Sequence, residues 1–135
     1  MYDVIIIGAG PAGASAAIFT AKAGKKTLVI DSDQSITKRA WMGNHYGAPD
    51  ISGPDLVETG KKQAAKYGAE FVSGKAVKVE AKAGGVTVHT EDGKSYEAAH
   101  VILATGLQAD LAEASGIRTK PGTEPRIKTV IDCDA

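Results

Sequence analysis

The sequence predicts an α/β fold: a parallel sheet between helical layers, three layers in all, with a small antiparallel β-meander inserted before the sheet resumes. Three observations carry that prediction. Residues 2–7 (Y-D-V-I-I-I) and 25–30 (K-K-T-L-V-I) are short apolar runs without polar alternation, as expected of parallel strands buried on both faces. Between them, residues 14–23 are rich in alanine and free of internal Gly and Pro, which favours a helix. Residues 76–80 and 86–90 alternate in the strand period, and Gly84-Gly85 joins them as a turn.

The first strand runs directly into Gly8-Ala9-Gly10-Pro11-Ala12-Gly13. Each glycine has a physical role in such a turn. Gly8 allows the sharp change from strand to helix, Gly10 leaves room for a pyrophosphate against the backbone, and Gly13 lets the helix pack closely on the sheet. Pro11 fits the first helical position, where its missing N–H costs no helix bond. The N–H groups of the first turn, from Ala12 onward, and the positive end of the helix dipole suit a diphosphate. Gly24 is a natural stop, and Asp31 ends the second strand. A carboxylate there can accept two hydrogen bonds from an adenosine ribose diol and disfavours a 2′-phosphate. Strand, glycine turn, helix, strand and acid together form the dinucleotide-binding fingerprint in its proper context. The structural alternative is a tight βαβ turn whose site is unused.

The rest of the chain is read in order. Residues 32–40 are polar and basic and predict a loop or short helix at the carboxyl edge of the sheet, where Lys38 and Arg39 face phosphate or, as the better reading, water. Residues 41–49 (W-M-G-N-H-Y-G-A-P) form a glycine-rich loop with the chain's one Trp, with Asn44 a cofactor or turn hydrogen-bonder and His45 a weak acid–base candidate. Ser52-Gly53-Pro54-Asp55 opens a second helix, capped by Ser52 or Gly53, and Gly68 ends it. Residues 69–72 predict a third parallel strand. The meander covers about residues 76–97, with residues 95–97 as its third strand. Residues 100–104 (H-V-I-L-A) predict another buried strand, followed by Thr105-Gly106. Residues 109–114 read as a short helix, 119–125 as a loop and 128–131 as a last strand.

Composition limits the function. A chain of 135 residues is enough for one domain and short for two. Aromatics are 5% of residues, too few for a series of base-stacking platforms, and 16 basic against 16 acidic side chains give zero formal charge, so neither nucleic acid nor an anionic membrane is expected as a partner. The apolar runs are strand-length, and the chain starts in a strand with Asp3 and no basic leader, so neither a membrane span nor a signal peptide is expected. Cys133 is the single cysteine, which excludes an intramolecular disulfide and a C-x-x-C pair, and a cytoplasmic location is the expectation. His45, His89 and His100 are scattered, and no metal site is expected.

These motifs together resemble the FAD-binding half of the thioredoxin reductase-like flavoproteins, a Rossmann-like fold. The resemblance rests on residues 3–13, on Leu28-Val29-Ile30-Asp31, on Asn44-His45-Tyr46-Gly47 as a variant of an Asn-aromatic-Pro-Gly loop, on Ile51-Ser52-Gly53-Pro54-Asp55-Leu56, and on Ile102-Leu103-Ala104-Thr105-Gly106 as the Ala-Thr-Gly motif. It implies FAD as cofactor and NAD(P)H as a possible electron donor. It further implies that Gly8, Gly10, Gly13 and Asp31, with Pro11 and Ala12 in the same turn, hold the ADP half. Asn44, Ala104, Thr105 and Gly106 would lie near the cofactor, and the backbone at Ala76 and Val77 would contact adenine.

The departures shape the remaining expectations. The family's second nucleotide domain, its redox C-x-x-C and its late Gly-Asp segment do not occur in these 135 residues; residues 128–132 look like the approach to that segment. The expectation is a single FAD- or dinucleotide-binding domain over residues 1–135, incomplete at its C-terminus. If active, it is an FAD-dependent NAD(P)H oxidoreductase and not a thioredoxin reductase proper, and no residue stands out as catalytic. The alternatives are a non-enzymatic adenine-nucleotide-binding or structural remnant acting through a partner, and a separate NAD-binding module. With the first strand central, residues 128–131 would lie at an uncovered edge, so a homodimer or a partner chain completing the fold is expected.

Overall fold

The structure is a computed structural model and describes residues 1–106 and 110–116. Strand β1 (Tyr2–Ile7) is buried from Val4 onward, with Ile6 packed toward one face of the sheet and Ile5 and Ile7 toward the other. Helix α1 (Pro11–Lys22) begins with Pro11 after Gly10, and turns Ala17 and Ala21 to the sheet. These small side chains bring the helix close, as a parallel sheet requires of its covering layer. Strand β2 (Thr27–Asp31) follows and ends on the acid. A 3₁₀ turn at Ile36–Arg39 leads into two very short strands, β3 (Trp41–Met42) and β4 (Ile51–Ser52), paired antiparallel.

Helix α2 (Gly53–Lys66) is capped by Ser52, whose hydroxyl accepts the Asp55 N–H at 3.2 Å. It lies beside α1, and Gly60 makes that contact close: a Cβ there would sit 3.4 Å from the Ala14 Cβ. Strand β5 (Glu70–Ser73) then pairs parallel with β2, as expected. Strands β6 (Ala76–Lys82) and β7 (Gly85–Thr90) form the antiparallel hairpin, and β8 (Ser95–Leu103) closes the meander. The single six-stranded sheet has the order β5-β2-β1-β8-β7-β6, with the first four strands mutually parallel.

One detail differs from the expected layout. Residues 95–97 and 100–104 were expected to form two strands, whereas Ser95–Leu103 is one. It pairs antiparallel with β7 up to Ala98 and parallel with β1 from Ala98 to Leu103. Tyr96, Ala98, Val101 and Leu103 all pack in the same cluster, so the two-residue alternation slips by one between Ala98 and Val101. That slip makes one strand read as two. The inserted meander is continuous with the parallel strands in one sheet. Ala76 and Val88 join Ile5, Leu28 and Ile30 in one buried cluster, so the curled sheet covers its own second face, together with Leu111 of α3 (Asp110–Ala114).

The readings of residues 119–125, 128–131 and Cys133, and of residue 109 in the last helix, fall outside the described residues. Of the sheet described, β5 is only four residues long and β6 carries Lys78, Glu80 and Lys82, both of which blunt an edge against pairing.

Candidate nucleotide site

The site forms where β1, β2 and β8 end together. Gly8 N–H donates to the Ile30 carbonyl at 2.9 Å, and Ala104 N–H donates to the Ile7 carbonyl at 2.8 Å. These bonds pin the glycine turn between its two neighbouring strands. Gly8 has φ +110°, and a Cβ there would lie 2.1 Å from the Ala104 carbonyl oxygen. At Gly13 a Cβ would lie 1.7 Å from the Gly8 carbonyl oxygen, so α1 rests directly on the backbone of the turn. The first α1 bond runs from Ala14 N–H to the Gly10 carbonyl at 2.9 Å. The N–H groups of Ala12 and Gly13 thus precede the helix's own bonding pattern.

In front of this turn lies a cleft of about 880 Å³. Its walls are the turn from Gly8 to Ala12, the segment 31–39, Asn44 with His45, the segment 74–76, and Ala104-Thr105-Gly106 with Leu111. Of the residues named from sequence, Gly8, Gly10, Pro11, Ala12, Asp31, Asn44, Ala76, Ala104, Thr105 and Gly106 are brought together here. Gly13 acts from behind, by letting the helix approach. Val77 lies outside the cleft wall and is 37% exposed; Gly74 and Lys75 take the place beside Ala76. A ligand would meet Ser35 as well, because a Cβ on Gly10 would be 2.9 Å from the Ser35 Oγ.

Among the described residues, Asp31 is held by two protein donors. Its Oδ1 accepts the Asp33 N–H at 2.8 Å, and its Oδ2 accepts Lys61 Nζ at 2.7 Å. The first bond closes a tight turn in which Asp33 takes φ 60°. The hydrogen bond to Asp31 holds the Lys61 ammonium above the usual lysine value, against the opposing effect of partial burial. Lys38 bonds to Asp33 and holds that carboxyl below the usual range. The basic segment therefore neutralises its own acid at the cleft mouth. Arg39 and His45 also border the cleft; the His45 Nδ1 lies 3.1 Å from the Tyr46 carbonyl oxygen.

Sequence reasoning missed Ser35, Gly74, Lys75 and Leu111 as wall residues. Gly74 and Lys75 had a signal: they follow a parallel strand at its carboxyl end, where such sheets place ligands. Ser35 shared that coarse signal, in the segment that follows β2 at the same edge, but its place beside Gly10 depends on how the segment 32–40 folds back. That fold depends on Gly53, where a Cβ would lie 1.6 Å from the Thr37 carbonyl oxygen.

A parallel sheet with this turn and an acid at the next strand end defines a dinucleotide-binding α/β domain. Residues 2–135 match the family described as pyridine nucleotide-disulphide oxidoreductase, and the chain belongs to that family. It is 42% identical over 110 residues to thioredoxin reductase of Aquifex aeolicus, covering 78% of this chain and 34% of that protein. It is 35% identical over 139 residues to thioredoxin reductase of Peptoclostridium acidaminophilum, covering 100% of this chain and 43% of that protein. Its fold is similar to the crystal structure of the atypical thioredoxin reductase of Desulfovibrio vulgaris Hildenborough, with TM-score 0.73 and 35% identity over 90% of this chain and 38% of that one. The chain thus spans less than half the length of these relatives.

Proposed function

We propose that the chain is an FAD-binding domain of a thioredoxin reductase-like oxidoreductase, with the ADP half of FAD seated between the glycine turn and Asp31. One observation carries this reading: the N-terminus of α1 opens, with no side chain at Gly10, into a cleft that also holds the Asp31 carboxylate. A cradle whose glycine hydrogen faces the cleft fits a diphosphate, and a carboxylate at the end of the next strand fits a ribose. Ala12 would present an N–H donor to the diphosphate, and Thr105 and Gly106 would border its far side. A flavin bound there supplies hydride acceptance from NAD(P)H and onward electron transfer. The residues of the cleft bind and orient; none of them is assigned a proton or a covalent step.

Titration with FAD tests the reading. Saturable quenching of flavin fluorescence, with a flavin absorbance band retained after gel filtration, is the expected result. A colourless protein that ignores FAD overturns it. The second reading, an adenine-nucleotide-binding or structural remnant acting through a partner, is favoured by one fact: the anchors identified in the cleft suit an ADP group and none is specific to a flavin ring. Calorimetry with ADP, NAD and FAD separates the two. FAD preferred over ADP supports the flavin site, equal weak affinities support the remnant, and NAD binding without flavin binding supports a NAD module. A homodimer or a partner chain completing the fold belongs to the same proposal, and light scattering at low micromolar concentration tests it. A cytoplasmic setting is proposed as well; among the described residues no helix is long and apolar enough to cross a membrane.

A further inference from the structure

Asp31 borders the cleft, yet one of its two protein donors comes from outside it. Lys61 stands on α2, does not line the cleft, and reaches Asp31 Oδ2 at 2.7 Å. The pair is largely sheltered, with 26% of the lysine side chain and 15% of the aspartate side chain exposed. Lys61 is itself steadied, because its Nζ lies 5.9 Å from the centre of the Phe71 ring on β5. We propose that Lys61 is a positioning residue for adenosine recognition, one that fixes the Asp31 carboxylate against the Asp33 N–H so that it is presented to the ribose in one orientation.

The argument is one of hydrogen-bond capacity. An ionised carboxylate has about four acceptor positions, two on each oxygen. The Asp33 N–H takes one on Oδ1 and Lys61 takes one on Oδ2. Among the described residues nothing else bonds this carboxylate, so one position on each oxygen is left for the two O–H donors of a ribose diol. Without Lys61, the carboxylate keeps a single tether and can turn about its side-chain bonds. Part of the ligand's binding free energy would then go into ordering it. Lys61 does not line the cleft, so it is not a direct phosphate contact. Lys62, the adjacent residue, is exposed and serves as a control of equal charge.

This inference rests on the reading that Asp31 binds ribose, and the experiment separates the two. Calorimetry on the full chain compares ADP with 2′,3′-dideoxy-ADP, which lacks both hydroxyls. The wild-type protein is expected to prefer ADP by about tenfold or more. In Lys61→Met the preference falls to about threefold or less, Lys61→Arg restores most of it, and Lys62→Met leaves it unchanged. A lysine needed only for packing would alter the melting temperature, read by circular dichroism, and not this ratio. Lys61→Gln replaces Lys61→Met if the latter does not fold. A wild-type preference near one overturns the ribose reading of Asp31 and this inference with it. A normal wild-type preference that survives in Lys61→Met overturns the inference alone. Tighter ADP binding by Lys61→Met also overturns it, because Lys61 would then compete with the ribose.

Discussion

Two glycine-rich segments border the same cleft, and they differ in what surrounds the missing side chain. In the turn at residues 8–13 the missing Cβ is a matter of contact: at Gly8 and Gly13 backbone lies where a side chain would be, with hypothetical separations of 2.1 and 1.7 Å. In the loop at residues 41–50 it is a matter of backbone angle alone, an angle that Gly8 of the turn needs in addition to its close contact. Gly47 has φ +85°, a Cβ placed on it would meet nothing within 4 Å, and its neighbour Tyr46 is 99% exposed. The turn is fixed by the two strands beside it. The loop is held by the short β3–β4 pair, a bridge between His45 and Ala48, and a long 3.4 Å bond from Trp41 Nε1 to Asp50. The difference teaches that glycine content alone does not distinguish a rigid cradle from an exposed loop. What surrounds the absent side chain does.

The strongest test of this contrast is a pair of alanine substitutions. Gly13→Ala forces a methyl group into the Gly8 carbonyl, and backbone cannot rotate away as a side chain can. The expected loss is about 3 kcal/mol or more of stability. Gly47→Ala meets no atoms and bears only the left-handed backbone cost, about 1 kcal/mol. Urea denaturation followed by circular dichroism measures both. Equal losses at the two positions would break the comparison.

Within the turn, Gly10 separates binding from folding. A methyl group there meets only the Ser35 side chain, whose hydroxyl end can move. Gly10→Val should therefore retain the fold while adenine-dinucleotide affinity falls at least about tenfold, or roughly 1.4 kcal/mol. Unchanged affinity would make the turn purely structural. Asp31→Ala should likewise keep the fold, because the Lys61 ammonium is partly exposed and returns to water. Adenosine-ligand affinity should fall by roughly 1.5–3 kcal/mol, the range for a hydrogen bond to a charged group. No change in a calorimetric titration would show that the ribose lies elsewhere.

How far the sequence foretold this molecule follows the same division. The βαβ unit, its turn and Asp31 were legible because each rests on local chemistry: a buried apolar run, a Pro at the first helical position, glycine where backbone meets backbone. The third parallel strand, read at residues 69–72 and found at Glu70–Ser73, and the helix cap, read as Ser52 or Gly53 and found as Ser52, were legible for the same reason. The single strand β8 was not, because its alternation slips where its partner changes from β7 to β1, and that change is a tertiary event. Lys61 was invisible for a related reason. It reads as one of several lysines on a helix, and only the packing of α2 beside β2 brings it to Asp31, thirty positions away in sequence. Val77, whose backbone the resemblance places beside adenine, does not line the cleft and is 37% exposed, whereas its neighbour Ala76 does line it.

The smallest expected effect lies in the loop, and it sharpens the comparison by ligand. Tyr46→Ala removes a side chain that packs on nothing, so stability should stay within about 0.5 kcal/mol. His45 differs because it borders the cleft while its ring nitrogen Nδ1 bonds no further away than the adjacent Tyr46 carbonyl. If the turn and Asp31 hold the ADP half, they account for ADP binding without the loop, and His45→Ala should leave ADP affinity unchanged within about twofold. FAD extends beyond the diphosphate, and the loop is one of the remaining walls it can meet. Losing one partly exposed contact there is worth about 0.5–1.5 kcal/mol, which reads as roughly a two- to tenfold weaker FAD complex. Parallel titrations with the two ligands make the distinction. Equal losses for ADP and FAD would place the loop at the adenosine end of the cleft and end its separation from the turn, whereas a loss confined to FAD divides the cleft between a rigid cradle that holds the nucleotide and an exposed loop that senses what is attached to it.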